Sequence, residues 1–100
     1  MSKKPFADYL REDQRLVILR VLVDMPSYRA NSSVLYNLLD TFGHSPSRDQ
    51  VKGHLRWLEE QGLVDIQDVS DLLIATLTSR GQDVAEGRVV IDGVKRPGAR

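Results

Sequence analysis

Arg48, Lys52 and Arg56 recur every four residues, so a helix containing them carries all three along one side. Ser47 precedes them, and Gln50 and Gly53 lie between them. An arginine fork matches the O6/N7 edge of guanine, a glutamine amide matches adenine, and a lysine neutralises phosphate. Gly53 lowers helix propensity by about 1 kcal/mol relative to alanine and would admit the close approach of a backbone or a neighbouring helix. The chemistry these residues suggest is recognition of duplex DNA by Ser47, Arg48, Gln50, Lys52, Gly53 and Arg56, with Asp49 as an alternative to Gln50 on the exposed side. The competing reading treats the three cations as an ordinary solubilising helix surface.

Other chemistry finds little material. The chain has no cysteine, so disulfides, thiol nucleophiles and cysteine zinc sites are excluded. His44 and His54 are the only histidines and do not form a His-x-x-x-His pair. His44 falls in a turn and is expected to be exposed; His54 either touches DNA or, the favoured expectation, packs beside Trp57, itself a core or interface anchor. Asp65, Asp68 and Asp71 lack the spacing of a calcium loop and read as a solvated hairpin. There is no nucleophile elbow and no phosphate-binding glycine loop. No catalytic residue, metal ligand or cofactor is expected, and the chain reads as a non-enzyme.

The elements that must position the cations can be read from periodicity and capping. Phe6–Met25 forms a first helix, entered through Pro5 and stopped by Pro26. Its stretch from Leu16 to Val23 is apolar nearly all round, so it is either central or covered by a second subunit. A homodimer interface through Phe6, Tyr9, Leu16, Val17 and Val21 is expected on that ground. Ser27–Ala30 is extended, and Asn31 caps a second helix, Ser32–Phe42, closed by Gly43. Ser47 with Gln50 forms a capping box for the third helix, which ends near Gln61 before Gly62. Leu63–Asp68 and Leu72–Leu77 are strands joined by a turn at Val69-Ser70-Asp71. Thr78 or Ser79 caps a last helix that runs to about Glu86 and is weakened by Gly81. Arg88–Arg100 reads as a flexible or extended tail.

One hundred residues suffice for one domain, and 41% hydrophobic with 28% charged residues suits a folded chain. No apolar run exceeds the four residues of Leu16–Leu19, so no membrane span or signal peptide is expected, and the expected location is the cytoplasm. Fourteen basic and fourteen acidic residues cancel, but unevenly along the chain. Residues 62–87 hold one basic and five acidic groups, whereas residues 88–100 hold four basic and one acidic. The hairpin therefore lacks the cations that a phosphate-following wing would use. The basic ends, Lys3-Lys4 and Arg88, Lys95, Arg96 and Arg100, could compensate as arms on phosphate or in a minor groove.

The order helix, short strand, helix, turn, helix, hairpin, helix is mainly α with a small β-hairpin, an α+β class. The segments "SRDQVKGHLRWLEEQGLV" and "ATLTSRGQDVAEG" resemble the third helix and the post-hairpin helix of winged helix-turn-helix domains, a likeness that covers residues 6–87. More narrowly, "FADYLREDQRLVILRVL", "YRANSSVLYNLLDTFGHSPSRDQV" and "GVKRP" resemble an uncharacterised family of small proteins encoded in Mu-like phages and prophages. The wider resemblance implies duplex DNA as partner, frequent homodimers, and the third helix in the major groove. The expected organisation is a winged helix-turn-helix domain over 5–87 and a basic tail over 88–100. A protein-interaction module on the same scaffold, with a protein partner instead of DNA, is the alternative that zero net charge and the acidic hairpin favour.

Overall fold

Pro26 determines where the first helix must stop. The computed structural model, which describes residues 4–98, ends helix α1 (Phe6–Asp24) two residues before that proline. Met25 is already extended, with φ −81° and ψ 147°, because the proline ring crowds the helical region of the residue before it. Pro26–Tyr28 then forms a single 3-10 turn in which Ser27 and Tyr28 take left-handed φ values of 56° and 57°. Each such non-glycine residue costs roughly 1–2 kcal/mol, and the pair reverses the chain so that strand β1 (Arg29–Asn31) can join the sheet. The extended stretch expected at Ser27–Ala30 therefore starts two residues later. Lys3 and Arg100, expected among the basic arms, lie outside the described residues.

Helix α2 (Ser32–Thr41) starts where the Asn31 side chain accepts from Val34 N–H at 2.9 Å. It closes at Gly43, φ 87°, where His44 N–H returns to Leu39 C=O at 2.9 Å. Helix α3 (Arg48–Glu60) repeats this plan with a capping box at its start and Gly62, φ 75°, at its end. Strands β2 (Val64–Val69) and β3 (Leu72–Leu77) form the hairpin, Val69 opposite Leu72, turning through Ser70 at φ 55°. β1 pairs with the other edge of β3, giving a three-stranded antiparallel sheet in the order β1-β3-β2.

Helix α4 (Ser79–Ala85) explains its own glycine. A Cβ on Gly81 would lie 2.1 Å from Leu63 C=O, so α4 can pack against the turn between α3 and β2 only with no side chain there. The sequence had indicated only a propensity cost.

The core gathers Leu16, Ile18, Leu19 and Leu22 of α1, Leu35 and Leu39 of α2, and Val51, Leu55 and Leu58 of α3 against Leu73, Ala75 and Leu77 of β3. Helix α1 meets α2, α4 and β3, so its Leu16–Val23 stretch is largely covered within the chain. Residues 88–98 have little regular structure, yet Val94 is buried and Lys95 N–H donates to Glu12 C=O at 3.1 Å. The segment expected as a flexible or extended tail thus lies as a strap along α1. Among the described residues no helix is long and apolar enough to cross a membrane.

Candidate nucleic-acid interface

The core side of α3 is set by Val51, His54, Leu55 and Leu58, all buried. At 100° per residue the opposite, outermost row is Asp49, Gly53, Arg56 and Glu60, and all four are exposed. The cations do not form one outward stripe. Arg56 alone sits on that row. Lys52 is half-buried and lines a shallow cleft with Ser32, Ser33, Arg48, Asp71 and Leu72, on the side toward α2 and the hairpin. Arg48 is exposed, and its guanidinium lies 4.4 Å from the centre of the Tyr36 ring on α2.

Arg56 is held from two directions. Its Nη2 donates to Asp68 Oδ1 of the hairpin at 2.7 Å, and its Nη1 to Glu59 Oε1 at 3.4 Å. These contacts, the Asp68 hydrogen bond first, raise its guanidinium pKa above the ordinary value. Ser47 and Gln50 are engaged with each other: Ser47 Oγ accepts from Gln50 N–H at 3.0 Å, and Gln50 Oε1 accepts from Ser47 N–H at 2.8 Å. With its oxygen committed to the cap, Gln50 keeps only its amide donors for an outside group, which is short of the bidentate pattern for adenine. A Cβ on Gly53 would meet no atom within 4 Å, so the absent side chain serves no internal close approach. The hairpin shows Asp65, Asp68 and Asp71 exposed and carries no basic residue.

The flank of α3 that faces α1 holds a polar group that the sequence reading missed. His54, 5% exposed, is the centre. Its Nδ1 accepts from Arg15 Nε at 3.2 Å, so the ring proton belongs on Nε2, which reaches Gln14 Oε1 at 2.8 Å. Burial first, then the charge of Arg15, lowers its pKa to about 4, so the ring is neutral near pH 7. Arg15 also lies 4.0 Å over the Trp57 ring and donates from Nη1 to Gly93 C=O at 3.0 Å. Gly93, φ 99°, presses on that ring: a Cβ there would lie 2.5 Å from Trp57 Cζ2. His54 therefore packs in the neighbourhood of Trp57, linked to it through Arg15.

His44 is not exposed in its turn as expected. Only 10% of its side chain is accessible, and Nε2 lies 2.6 Å from Asp13 Oδ2. Lys95 approaches the other oxygen of Asp13 at 3.5 Å. This puts Lys95 beside the turn that leads into α3, while Arg96 is exposed next to it. The structure thus brings Arg48, Lys52 and Arg56 to the hairpin flank and Lys95 to the α1 flank, in two separate groups.

The residues expected at a dimer face separate as well. Leu16 and Val21 are buried in the chain's own core and offer no surface to a partner. Val17 is half-buried, whereas Phe6 is 76% and Tyr9 56% exposed. Leu10 and Val90 are exposed too.

Of the residues that sequence reasoning missed, only Glu59 had a local signal, its three-residue distance from Arg56. Asp68, Tyr36, Arg15 and Gln14 reach α3 across tertiary distances that no local spacing encodes.

No protein-family model matches the chain. It is 54% identical over 93 residues to the uncharacterised protein gp26 of Escherichia phage Mu, covering 93% of this chain and 96% of that one. It is 47% identical over 76 residues to an uncharacterised protein of Haemophilus influenzae, covering 75% of this chain and 74% of the relative. Two solved structures of HlyU from Vibrio cholerae share the fold. The reduced form superposes with TM-score 0.58 at 24% identity over 80% of each chain. The other gives 0.57 at 23% identity over 85% of this chain and 91% of that one. Element order, sheet and superposition together make this a winged-helix fold.

Proposed function

This chain belongs to the family of the phage Mu protein gp26, and from that membership and its winged-helix fold we propose a phage-encoded regulator that binds duplex DNA as a homodimer. In this reading it acts in the cytoplasm as a transcription factor and not as an enzyme. The observation that carries the reading is a doubly capped helix-turn-helix whose second helix keeps Arg48 and Arg56 exposed. Residues 5–87 form the DNA-binding unit, and Lys95 and Arg96 of the strap add phosphate contacts beside the turn. Phe6 and Tyr9, with Leu10 and Val90, supply the apolar surface for the second copy.

Fluorescence anisotropy with random and phage duplexes at low salt tests the DNA reading. Binding that weakens steeply as salt rises is the expected result, because released counterions supply much of the affinity. Absence of binding at low salt ends it. Sedimentation tests the dimer separately, and a monomer at high micromolar concentration removes that element alone.

A second reading is favoured by one specific observation. The outermost row of α3 carries Asp49 and Glu60, and the adjoining hairpin exposes three aspartates. A protein-interaction module presenting this face to a basic partner fits that charge. A pull-down from phage-infected cells that recovers nucleic acid and no protein counts against it.

A further inference from the structure

We infer that Asp68 is a positioning residue for Arg56, so that the hairpin sets what the recognition helix reads instead of gripping phosphate itself. The inference rests on the DNA-binding reading above. Three exposed carboxylates and no cation make this hairpin a poor neighbour for phosphate. Its polar residues nevertheless have an internal use fixed by strand register. Side chains alternate along β2, so Val64, Ile66 and Asp68 share one side and Asp65 and Gln67 the other. Val64 is buried and Ile66 half-buried, which marks their side as the one turned to the protein body. Asp68 continues that row past its apolar part and meets Arg56 at 2.7 Å.

Glu59 takes a second donor of the same guanidinium from the helix. Of five guanidinium N–H donors, these contacts use two and leave three for an outside group, enough for the bidentate guanine pattern. An arginine biased by two carboxylates from two elements meets a base edge with part of its geometry already chosen. The same carboxylates oppose phosphate, so the arrangement trades raw affinity for discrimination.

The test uses the full chain, with selection from random duplexes followed by titration of the selected and scrambled sites. D68N is expected to bind scrambled duplex more tightly, having lost a negative charge, yet to lose about tenfold of discrimination at one base-pair position. D65N removes the same charge from the opposite side of the same strand. It is expected to gain scrambled-duplex affinity and to keep discrimination. D68E, which restores the carboxylate charge, is expected to recover discrimination. A D68N protein as selective as the parent overturns the inference while the DNA reading stands, and so does a D65N protein that loses as much selectivity. A parent chain that binds no duplex removes the DNA reading and this inference with it. Equal melting temperatures for the parent and D68N confirm that the comparison concerns binding and not folding.

Discussion

On the flank of α3 that faces α1, His54, Arg15, Gln14, Trp57 and Gly93 interlock through three hydrogen bonds and a stacked guanidinium. On the flank that faces the hairpin, Arg48 rests on one ring and Arg56 on two carboxylates. One helix therefore combines a fixed seam with a surface whose cations are held by contacts worth little individually. The seam decides where α3 sits relative to α1 and the strap. The outer flank decides what α3 can touch. The difference teaches that charge counting along a helix says little about availability, because the direction each side chain takes and its partner matter more than its spacing.

The sharpest way to break this comparison is to remove the seam's ring. Trp57→Ala is expected to cost about 3 kcal/mol in urea unfolding, since it strips the surface under both Arg15 and Gly93. Arg48→Ala on the other flank is expected to stay within about 0.5 kcal/mol of the parent. Gly93→Ala should also destabilise, through its φ of 99° and the 2.5 Å approach to the ring. Combined with Trp57→Ala it should cost less than the sum, because the clash has lost its partner. Additive losses, or an Arg48→Ala loss as large as that of Trp57→Ala, would mean that the two flanks do not differ.

Protonation probes the seam next. His54 has a folded pKa of about 4 against 6.5 for the unfolded chain, so the unfolded state binds more protons between those values. Its contribution is complete above about pH 6.5 and is lost as pH falls toward 4. By pH 5 the loss relative to pH 8 is about 2 kcal/mol. Urea titrations of the parent and of His54→Gln at pH 5 and pH 8 check this: the parent should weaken at pH 5 and the variant much less. Equal weakening would place the titration elsewhere.

The outer flank is expected to respond in binding and not in stability. Arg56→Ala is expected to relax preference at one base-pair position by about 1–2 kcal/mol, with urea midpoints nearly unchanged. A uniform loss across all sequences would make Arg56 a phosphate contact instead.

Much of the fold was legible because its signals are local. Pro26, Asn31, Gly43, the Ser47–Gln50 box, Gly62 and Thr78 mark element ends by rules that need only a few neighbouring residues. The site was less legible because its facts are tertiary. Spacing put Arg48, Lys52 and Arg56 on one side of a helix, but the angle between that side and the core depends on which apolar row is buried. Leu16 and Val21 were expected at a subunit interface because periodicity measures how apolar a helix is, not whether its own chain or a second one covers it. His54 read as a packed ring, but its partners Gln14 and Arg15 lie about forty residues away in sequence. Gly81 read as a weakness, whereas its need comes from Leu63 C=O in the turn between α3 and β2, eighteen residues away in sequence.

Gly53 gives the finest distinction, since it occupies the outer row and touches nothing. Gly53→Ala restores ordinary helix propensity in the middle of α3 and should stabilise the protein by about 0.5–1 kcal/mol. That sign is opposite to the one for Gly93, although one glycine lies in α3 and the other packs against it. The binding result then separates two origins for the residue. A stabilised variant that binds duplex as the parent does makes Gly53 indifferent to the ligand. A stabilised variant that binds more weakly shows that the outer row needs its bare backbone against the DNA, where an added methyl would hold the helix off the groove. A destabilised Gly53→Ala would contradict the open space on this side and with it the contrast between the two flanks.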